Sequence, residues 1–291
     1  CDYDKVAESW ELSCHKDGPS VVADGEYKGL TLNEYIEKAG KGVLGKNCER
    51  FENFPILIKL IDAKDNLSVQ VHPDNDYAMR VEGEYGKTEM WYVVDCDEGA
   101  TLLYGFKHEI TKEEFARRIA DNTLLEVTNA VPVKKGDVFF IKSGTLHAIG
   151  KGILIAEIQQ NSNTTYRIYD YGRVGKDGKP RELHVNKALD VTKLAPAEQY
   201  PETPVEKKDG YDIKLLSKCE YFTTYRVNVE TKAELDADEN SFNSILVLEG
   251  EPVISGGETV SAKKGESVFI SAGTGKYTVE GKCTFVLTKI D

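Results

Sequence analysis

The sequence lacks an excess of positive charge and any long apolar run. Its 291 residues carry 37 Lys and Arg against 49 Asp and Glu, a formal net charge of −12. This acidic balance argues against a nucleic-acid partner, whose phosphates would be repelled, although a local cluster of Lys and Arg could still bind a phosphorylated small molecule. Because no apolar run is long enough to span a bilayer and no signal peptide is visible, a membrane partner is not expected either.

Cysteine is scarce and scattered. The six cysteines lie at positions 1, 14, 48, 96, 219 and 283, and none belongs to a CxxC pair. So scattered a set in a chain of this length argues against a disulfide framework. Reduced thiols and a cytoplasmic protein are therefore expected. The chain begins at Cys1 rather than Met, and we expect an N-terminal piece to be absent from this numbering.

Most segments have the pattern of short strands. Runs rich in β-branched and aromatic residues alternate with Gly, Asp and Asn turn signals, which is typical of an all-β barrel or sandwich. The clearest runs cover residues 55–61, 90–94, 138–141, 153–158, 245–248 and 284–287.

Helical patterns are fewer. The first predicted helix follows Thr31, a plausible N-cap with Glu34 three residues later. The strongest covers 111–125, with Thr111 as its cap and an apolar stripe along one side. A short third helix is expected at 183–191.

An internal repeat divides the chain. The run KKGDVFFIKSGT at 134–145 is echoed by KKGESVFISAGT at 263–274, an offset of 129 residues (263 − 134 = 129). At this offset the counterpart of His147 is Lys276, and an ammonium group is a poor zinc ligand. We expect two related β-barrels, of which only the first keeps a metal.

The first copy of the repeat ends in Gly-Thr and is followed by Leu146 and His147, and this whole run resembles the second signature motif of the cupin superfamily. The fold expected from this resemblance and from the strand pattern is mainly β, two cupin-like jelly-roll barrels in tandem with a few inserted helices. We assign residues 1–195 to a metal-binding catalytic cupin domain, with a helical insertion near 111–125. Residues 196–210, rich in proline and charge, are predicted as a linker, and 211–291 as a C-terminal cupin-like β-domain without metal.

Gln70 and His72 lie two residues apart in the strand-like stretch DNLSVQVHPD, so their side chains project to the same face. An imidazole and an amide oxygen on one face make half of a metal site. Glu89 in KTEMWY and His147 in SGTLHAI are candidates for the other half. Two His, one Glu and one Gln can hold a zinc ion and leave one position open, as catalytic sites do.

Several longer stretches together resemble the type I mannose-6-phosphate isomerase family in its shorter bacterial form. The similarity is nearly continuous from residue 8 to about 190 and weak afterwards. The family's opening segment, with a Lys-Ile-Trp-Gly-Gly type of motif, is not found before Cys1. The stretches are ESWELS at 8–13, GPSVV at 18–22, LIKLIDA at 57–63, LSVQVHPD at 67–74, KTEMWY at 87–92, GTLHAI at 144–149 and NSNTTYRIYDYGR at 161–173.

The resemblance implies an enzyme that interconverts mannose 6-phosphate and fructose 6-phosphate. It would move a proton between C1 and C2 through an enediol, with one zinc ion per chain. The implied metal ligands are Gln70, His72, Glu89 and His147.

The resemblance also assigns roles to residues around the metal. Arg167 is expected to stabilise the charge of the enediolate, and Glu157 to act as an acid or base. Ser68 and Lys87 would line the substrate pocket and suit phosphate binding. Arg173 is a further cationic candidate for substrate binding.

Lys151 is one more cationic candidate for substrate binding.

Other functions stay open beside the isomerase. A non-catalytic sugar-phosphate sensor on the same scaffold would be favoured by loss of a metal ligand or of Arg167, and all of these residues are retained. An iron-dependent cupin oxygenase usually gathers more His ligands, whereas only His72 and His147 of the five histidines lie in ligand contexts. A different sugar phosphate, and cobalt, manganese or iron in place of zinc, remain alternatives. Oligomeric state is not determined by the sequence.

Overall fold

The computed structural model describes residues 6–175 and 178–291. The contacts within the chain divide it into two compact units. The first unit comprises residues 6–9 and Leu60–Tyr200, and the second comprises Trp10–Lys59 and Pro201–Asp291. Each unit is built mainly from β-strands.

The described residues contain four α-helices, three short 3-10 helices and twenty strands. The α-helices are α1 (Leu32–Ala39), α2 (Asn75–Val81), α3 (Lys112–Ala120) and α4 (Val185–Val191), and the 3-10 helices are Lys41–Leu44, Lys46–Cys48 and Leu124–Glu126. The strands are β1 (Glu8–Leu12), β2 (Ile56–Ala63), β3 (Val69–Val71), β4 (Glu89–Cys96), β5 (Thr101–Phe106), β6 (Thr128–Pro132), β7 (Val138–Ile141), β8 (His147–Ala148), β9 (Ile153–Gln160), β10 (Tyr166–Tyr169), β11 (Val205–Lys208), β12 (Tyr211–Lys218), β13 (Thr223–Val229), β14 (Lys232–Ala237), β15 (Asn243–Gly250), β16 (Val253–Gly256), β17 (Glu258–Ser261), β18 (Ser267–Ile270), β19 (Gly275–Glu280) and β20 (Cys283–Lys289).

The first unit packs two antiparallel sheets against each other. In one sheet β4 lies between β9 and β7, and the other has the order β10-β3-β8-β5-β6. Trp91 and Ile155 from the first sheet pack with Leu102 and Tyr104 from the second in one buried cluster. Burial of apolar surface between two sheets is the main source of stability in such a sandwich.

The second unit repeats this plan. One sheet has the order β11-β12-β13-β20-β15-β18, and the other has the order β14-β19-β16-β17. Its core joins Val227 and Phe285 of the first sheet to Tyr277 and Val279 of the second. Helix α1 belongs to this unit, where the hydroxyl groups of Tyr35 and Ser271 are 2.7 Å apart.

The prediction of a mainly β fold is confirmed, and all six predicted strands are present as β2, β4, β7, β9, β15 and β20. The hydrogen-bonded sheets of the described residues pair face to face and do not close into barrels. The tandem arrangement also differs from a simple division along the chain. Trp10–Lys59 contacts the C-terminal half, and Asn47, for example, donates a hydrogen bond of 2.9 Å to the carbonyl of Ile290.

The helix predicted at 111–125 is shorter than expected. Thr111 caps α3 by accepting from the backbone of Glu114, but the helix ends at Ala120. Asn122 then adopts a left-handed backbone conformation (φ 58°), which stops an α-helix, and a 3-10 helix follows. The predicted helix at 183–191 begins at Val185.

The segment predicted as a linker, 196–210, contains a strand. Val205–Lys208 forms β11, which pairs antiparallel with β12. Three charged residues in succession hide the strand pattern in the sequence, because all four side chains of this edge strand are exposed. The division into a catalytic domain at 1–195, a linker at 196–210 and a C-terminal domain at 211–291 stays a prediction.

Every helix among the described residues is too short or too polar to cross a lipid bilayer. The five cysteines that the structure describes are free thiols: Cys14, Cys48, Cys96, Cys219 and Cys283.

Candidate active site

Three neighbouring strands of the first unit place a row of polar side chains on one face. Arg167 on β10 lies opposite Gln70 on β3, and Gln70 lies opposite His147 on β8. Directly opposed residues in antiparallel strands project to the same face of the sheet. Arg167, Gln70 and His147 therefore lie side by side, although they are far apart in the sequence.

His72, Glu89 and His147 form a group whose candidate donor atoms all lie within 4.8 Å of one another. Nε2 of His147 is 3.2 Å from Nε2 of His72 and 3.2 Å from Oε1 of Glu89. Nε2 of His72 is 3.7 Å from the other Glu89 oxygen. The three residues are 0–1% exposed. Their donors converge on one buried point.

Gln70 joins this group from the next strand. Its amide nitrogen is 3.3 Å from Nε2 of His147, and a half-turn of the amide presents the oxygen there instead. Four ligands bound tetrahedrally to zinc at 2.0–2.1 Å would stand roughly 3.3 Å apart. The donor set, with two imidazoles, a carboxylate and an amide, thus fits a single small divalent cation in both chemistry and spacing.

Backbone carbonyls hold both imidazoles in the orientation that metal binding needs. Nδ1 of His72 is 2.9 Å from the carbonyl oxygen of Thr164, and Nδ1 of His147 is 2.8 Å from that of Thr145. Each ring therefore donates through Nδ1 and keeps the Nε2 lone pair for a ligand bond. Burial lowers the pKa of His147 to about 4, which keeps the ring neutral at neutral pH.

Lys87 lies between two buried carboxylates. Its ammonium nitrogen is 2.9 Å from Glu89 and 3.5 Å from Glu157. Burial alone would lower the pKa of Lys87, but the charges of Glu157 and Glu89 outweigh it and the pKa is raised. The indole of Trp91 donates a hydrogen bond of 2.7 Å to the second oxygen of Glu157. Glu157 is 2% exposed. Lys87 and Trp91 therefore orient its carboxylate next to the candidate metal ligands.

Arg167 is anchored on both sides. Its Nε donates to the hydroxyl of Ser68 at 3.3 Å, and its Nη1 donates to the carbonyl of Glu182 at 3.2 Å. The backbone N–H of Arg167 bonds to Nδ1 of His184 at 3.1 Å. Burial, together with the charge of Arg181, lowers the pKa of Arg167, and the guanidinium remains charged because its ordinary pKa is above 12.

A cluster of arginines surrounds the buried carboxylate of Asp170. Arg181 binds it through two nitrogens, at 2.8 and 2.6 Å. Arg173 binds it as well and also donates to the carbonyl of Asn66 at 2.7 Å. With Arg167 close enough to interact electrostatically, three guanidinium groups share one carboxylate. This excess of positive charge favours an anionic ligand.

The structure brings most of the predicted site residues together. The four predicted metal ligands converge, Lys87 and Glu157 contact that group, and Arg167 with Ser68 lies along the same row. Arg173 belongs to the arginine cluster. Lys151 is exposed, and its backbone N–H donates a hydrogen bond of 2.8 Å to the side-chain oxygen of Asn66.

Sequence reasoning missed four residues that support the site. Asp170 and Arg181 build the arginine cluster, and Nδ1 of His184 accepts from the backbone N–H of Arg167. The indole of Trp91 bonds to Glu157. Asp170 lies three residues from both Arg167 and Arg173, and this alternation of charge was the one local signal.

The chain matches two domain families along its length. Residues 2–99 match the phosphomannose isomerase type I catalytic domain, and residues 212–290 match the mannose-6-phosphate isomerase cupin domain. Mannose-6-phosphate isomerase ManA of Bacillus subtilis (strain 168) is 39% identical over 98% of this chain and 90% of its own length.

Solved structures agree. The crystal structure of the mannose 6-phosphate isomerase from Bacillus subtilis superposes with a TM-score of 0.90 at 38% identity, covering 97% of this chain and 89% of that one. A zinc-bound mannose 6-phosphate isomerase has a TM-score of 0.77 at 16% identity, covering 98% of this chain and 91% of that one.

The fold and the buried group of donors define a cupin-type isomerase scaffold. The chain belongs to the type I phosphomannose isomerase family, as the extent and identity of these matches show. The predicted resemblance, the cupin-like fold and the enzyme class are thereby confirmed.

Proposed function

We propose that this protein interconverts mannose 6-phosphate and fructose 6-phosphate by proton transfer between C1 and C2 through an enediol. The observation that carries the proposal is the convergence of His72, Glu89, His147 and Gln70 on one buried point. Lys87 and Arg167 lie beside this group. Such a set can stabilise negative charge on adjacent oxygens, which is what formation of an enediolate requires.

Gln70, His72, Glu89 and His147 would hold one zinc ion per chain. Bound there, zinc would supply a Lewis acid for the substrate oxygens or a template that orients them. Two observations support the metal. The donor atoms have the spacing expected around one shared metal ion. Both imidazoles leave Nε2 available because Nδ1 is engaged with a backbone carbonyl.

We assign the proton transfer to Glu157, with Lys87 beside it. The carboxylate of Glu157 is held by the indole of Trp91 and the ammonium of Lys87, so its orientation is preorganised. In this proposal Glu157 moves the proton between C1 and C2, and Lys87 lines the pocket and balances the charge of the two carboxylates. A carboxylate that is already oriented before the reaction needs little reorganisation to accept or donate the proton.

Arg167, Ser68 and Arg173 would hold the substrate. Arg167 stands in the same row as Gln70 and His147, where its guanidinium can stabilise a developing oxyanion. Arg173, together with Arg181, would bind the phosphate, because these side chains form the cluster with excess positive charge. A cytoplasmic location completes the proposal and is supported by the free thiols.

The test is a coupled assay with mannose 6-phosphate that follows fructose 6-phosphate, combined with metal analysis of each variant. We expect His147→Ala to lose metal and turnover together, whereas Arg167→Ala keeps the metal and loses most turnover. His15→Ala is the matched control, since His15 is also buried, at 6% exposed, but belongs to the second unit and is not a predicted ligand.

Two results would count against the proposal. Turnover of the wild-type protein that survives complete removal of metal would sink the metal assignment. No turnover of either sugar phosphate by the folded, zinc-loaded protein would shift the assignment to a sugar-phosphate-sensing relative or to another substrate.

A further inference from the structure

The second unit contains a cavity of its own, of about 480 Å³. This lies within the range of small-molecule sites, roughly 300–1,000 Å³. The wall is formed by strands β11, β12, β13, β14, β15 and β20 together with Thr203 and Pro204. The sequence predicts that this C-terminal domain holds no metal.

The register of the strands shows where this cavity lies relative to the internal repeat. In the first unit, His147 on β8 is paired with Gln70 on β3. In the second, Lys276, the counterpart of His147 at the offset of 129, is paired with Asp236 on β14. The side chains of Asp236 and Lys276 are exposed, and it is the neighbouring pair of Leu235 and Tyr277 that faces the core of the second unit. Leu235 lines the cavity.

A second pair of strands locates the cavity relative to the predicted metal ligands. Glu89 is paired with Ile141 in the first unit, and Asn243 is paired with Ile270 in the second. Ile270 is the counterpart of Ile141 at the same offset, so Asn243 is the counterpart of Glu89. Asn243 also lines the cavity. The cavity thus occupies, in the second unit, the place that the predicted metal ligands have in the first.

The chemistry at that place has changed from metal binding to apolar contact. Tyr211, Ile213 and Leu215 alternate along β12 and share one face. Leu215 lies opposite Tyr225 on β13, and Tyr225 lies opposite Leu287 on β20. All five line the cavity. Two tyrosine rings and three aliphatic side chains thus form a continuous apolar wall.

The charged residues of the lining balance one another. Lys208 pairs with Glu206 at 3.1 Å, and Lys289 pairs with Asp291 at 2.8 Å. Both lysines therefore have carboxylate partners, unlike the arginine cluster of the first unit, where three guanidinium groups share one carboxylate. A phosphate would find no excess positive charge here. Glu206 also lines the cavity and lies opposite Ile213 on β12, so it shares the face of the apolar wall and provides a carboxylate that can accept hydrogen bonds from hydroxyl groups.

We propose that this cavity is a second, metal-independent carbohydrate site, which binds an uncharged monosaccharide or disaccharide. An uncharged sugar has an apolar face of C–H groups that packs on tyrosine rings, and it has hydroxyl groups that donate to a carboxylate and an amide. The charge balance of the lining selects against sugar phosphates. This site is independent of the isomerase reaction assigned to the first unit.

Methyl NMR of the full chain tests the proposal directly, with D-mannose, D-glucose and cellobiose as probes in the millimolar range. We expect saturable shifts of the methyl signals of Ile213, Leu215, Leu235 and Leu287 with at least one of the three sugars. If none of the sugars shifts these signals, the proposal is overturned.

A filled cavity provides the matched variant. Leu235→Trp places a large ring in the cavity and should weaken binding about tenfold or more, a change of about 1.4 kcal/mol. Val260→Trp adds the same ring to an exposed position on β17 outside the cavity and should bind like wild type. Isomerase turnover should be unchanged in both.

Saturable shifts that persist in Leu235→Trp would place the sugar elsewhere and overturn the proposal. If Leu235→Trp does not fold, the wild-type titration still decides the matter, because the four methyl groups report on the cavity itself. Loss of isomerase function in the assay described above would leave this result untouched, so the two failures are distinguishable.

Discussion

At the scale of single residues, the site depends on side chains that are fixed before any ligand binds. The imidazoles of His72 and His147, the proposed metal ligands, donate to backbone carbonyls, and the carboxylate of Glu157 accepts from Trp91 and Lys87. Outer contacts of this kind set ligand orientation and are commonly worth 10–100-fold in affinity or activity. The supporting residues are therefore as testable as the ligands.

Replacing Glu157 by Gln keeps the shape of the side chain but removes the proton acceptor. We expect kcat to fall by about 10²–10⁴-fold, the usual contribution of general acid–base catalysis, with metal content unchanged. Steady-state kinetics and metal analysis measure the two effects. Trp91→Phe, which removes one hydrogen bond to the same carboxylate, should lose about tenfold or less. A Glu157→Gln enzyme with a near wild-type kcat would show that Glu157 only positions Lys87.

Asp170 couples the arginine cluster to stability at low pH. Burial would raise its pKa, but the hydrogen bonds from Arg181 and Arg173 outweigh this and lower it. A lowered folded-state pKa contributes stability above the unfolded value of about 3.9, and that contribution is lost as pH falls through the folded pKa.

Asp170→Asn should therefore cost about 1–2 kcal/mol at pH 7, since the arginines are partly exposed and screened by solvent. The difference from wild type should shrink at acidic pH below both pKa values. Urea unfolding at neutral and acidic pH measures it. Asp209→Asn, in the exposed turn before β12, is the control and should change little. A difference that stayed constant with pH would contradict the assigned role of the carboxylate.

At the scale of elements, short antiparallel strands build the site, because their register places the site residues opposite one another. β3 and β8 are only three and two residues long, yet they align Gln70 with His147. The first turn of α2 lies next to the segment that leads into β4, where the backbone N–H of Lys87 bonds to the carbonyl of Pro73 at 3.0 Å. The position of Lys87 and Glu89 therefore depends on a close approach of two backbones.

Gly86 makes this approach possible. A Cβ atom there would stand 2.4 Å from the backbone carbon of Asp74, closer than side chains tolerate. We expect Gly86→Ala to displace Lys87 and Glu89 and to lower both kcat and the melting temperature, by a destabilisation of about 1–3 kcal/mol. Gly42→Ala is the control because a Cβ atom there meets nothing within 4 Å. Equal behaviour of the two variants in kinetics and thermal melting would refute this account.

At the scale of the whole molecule, a metal ion that binds only the folded chain should stabilise it. A ligand at 1,000 times its Kd contributes about 4.1 kcal/mol. Treatment with a chelator should therefore lower the melting temperature of the first unit's transition, and zinc should restore it. Differential scanning calorimetry measures both steps. His147→Ala should melt at the same temperature with and without chelator, and a chelator effect of wild-type size in this variant would rule out the proposed ligand set.

The sequence by itself determined the features that depend on local spacing. Period-two alternation placed Gln70 and His72 on one face, turn signals delimited the long strands, and Thr31 and Thr111 marked helix starts that the structure confirms. These signals are readable because a strand or a helix cap involves residues close together in the chain. The long motifs also identified the family, since they retain the ligands in order.

Only the tertiary structure decided how distant segments combine. It placed Trp10–Lys59 with the C-terminal half, and it brought Arg181 to Asp170. It also revealed the cavity in the second unit, lined by Asn243, the counterpart of the proposed ligand Glu89. None of these follows from local patterns, because strand order and register are selected by the burial of apolar surface across the whole unit. A residue's neighbours in space are therefore decided by packing rather than by its neighbours in the sequence.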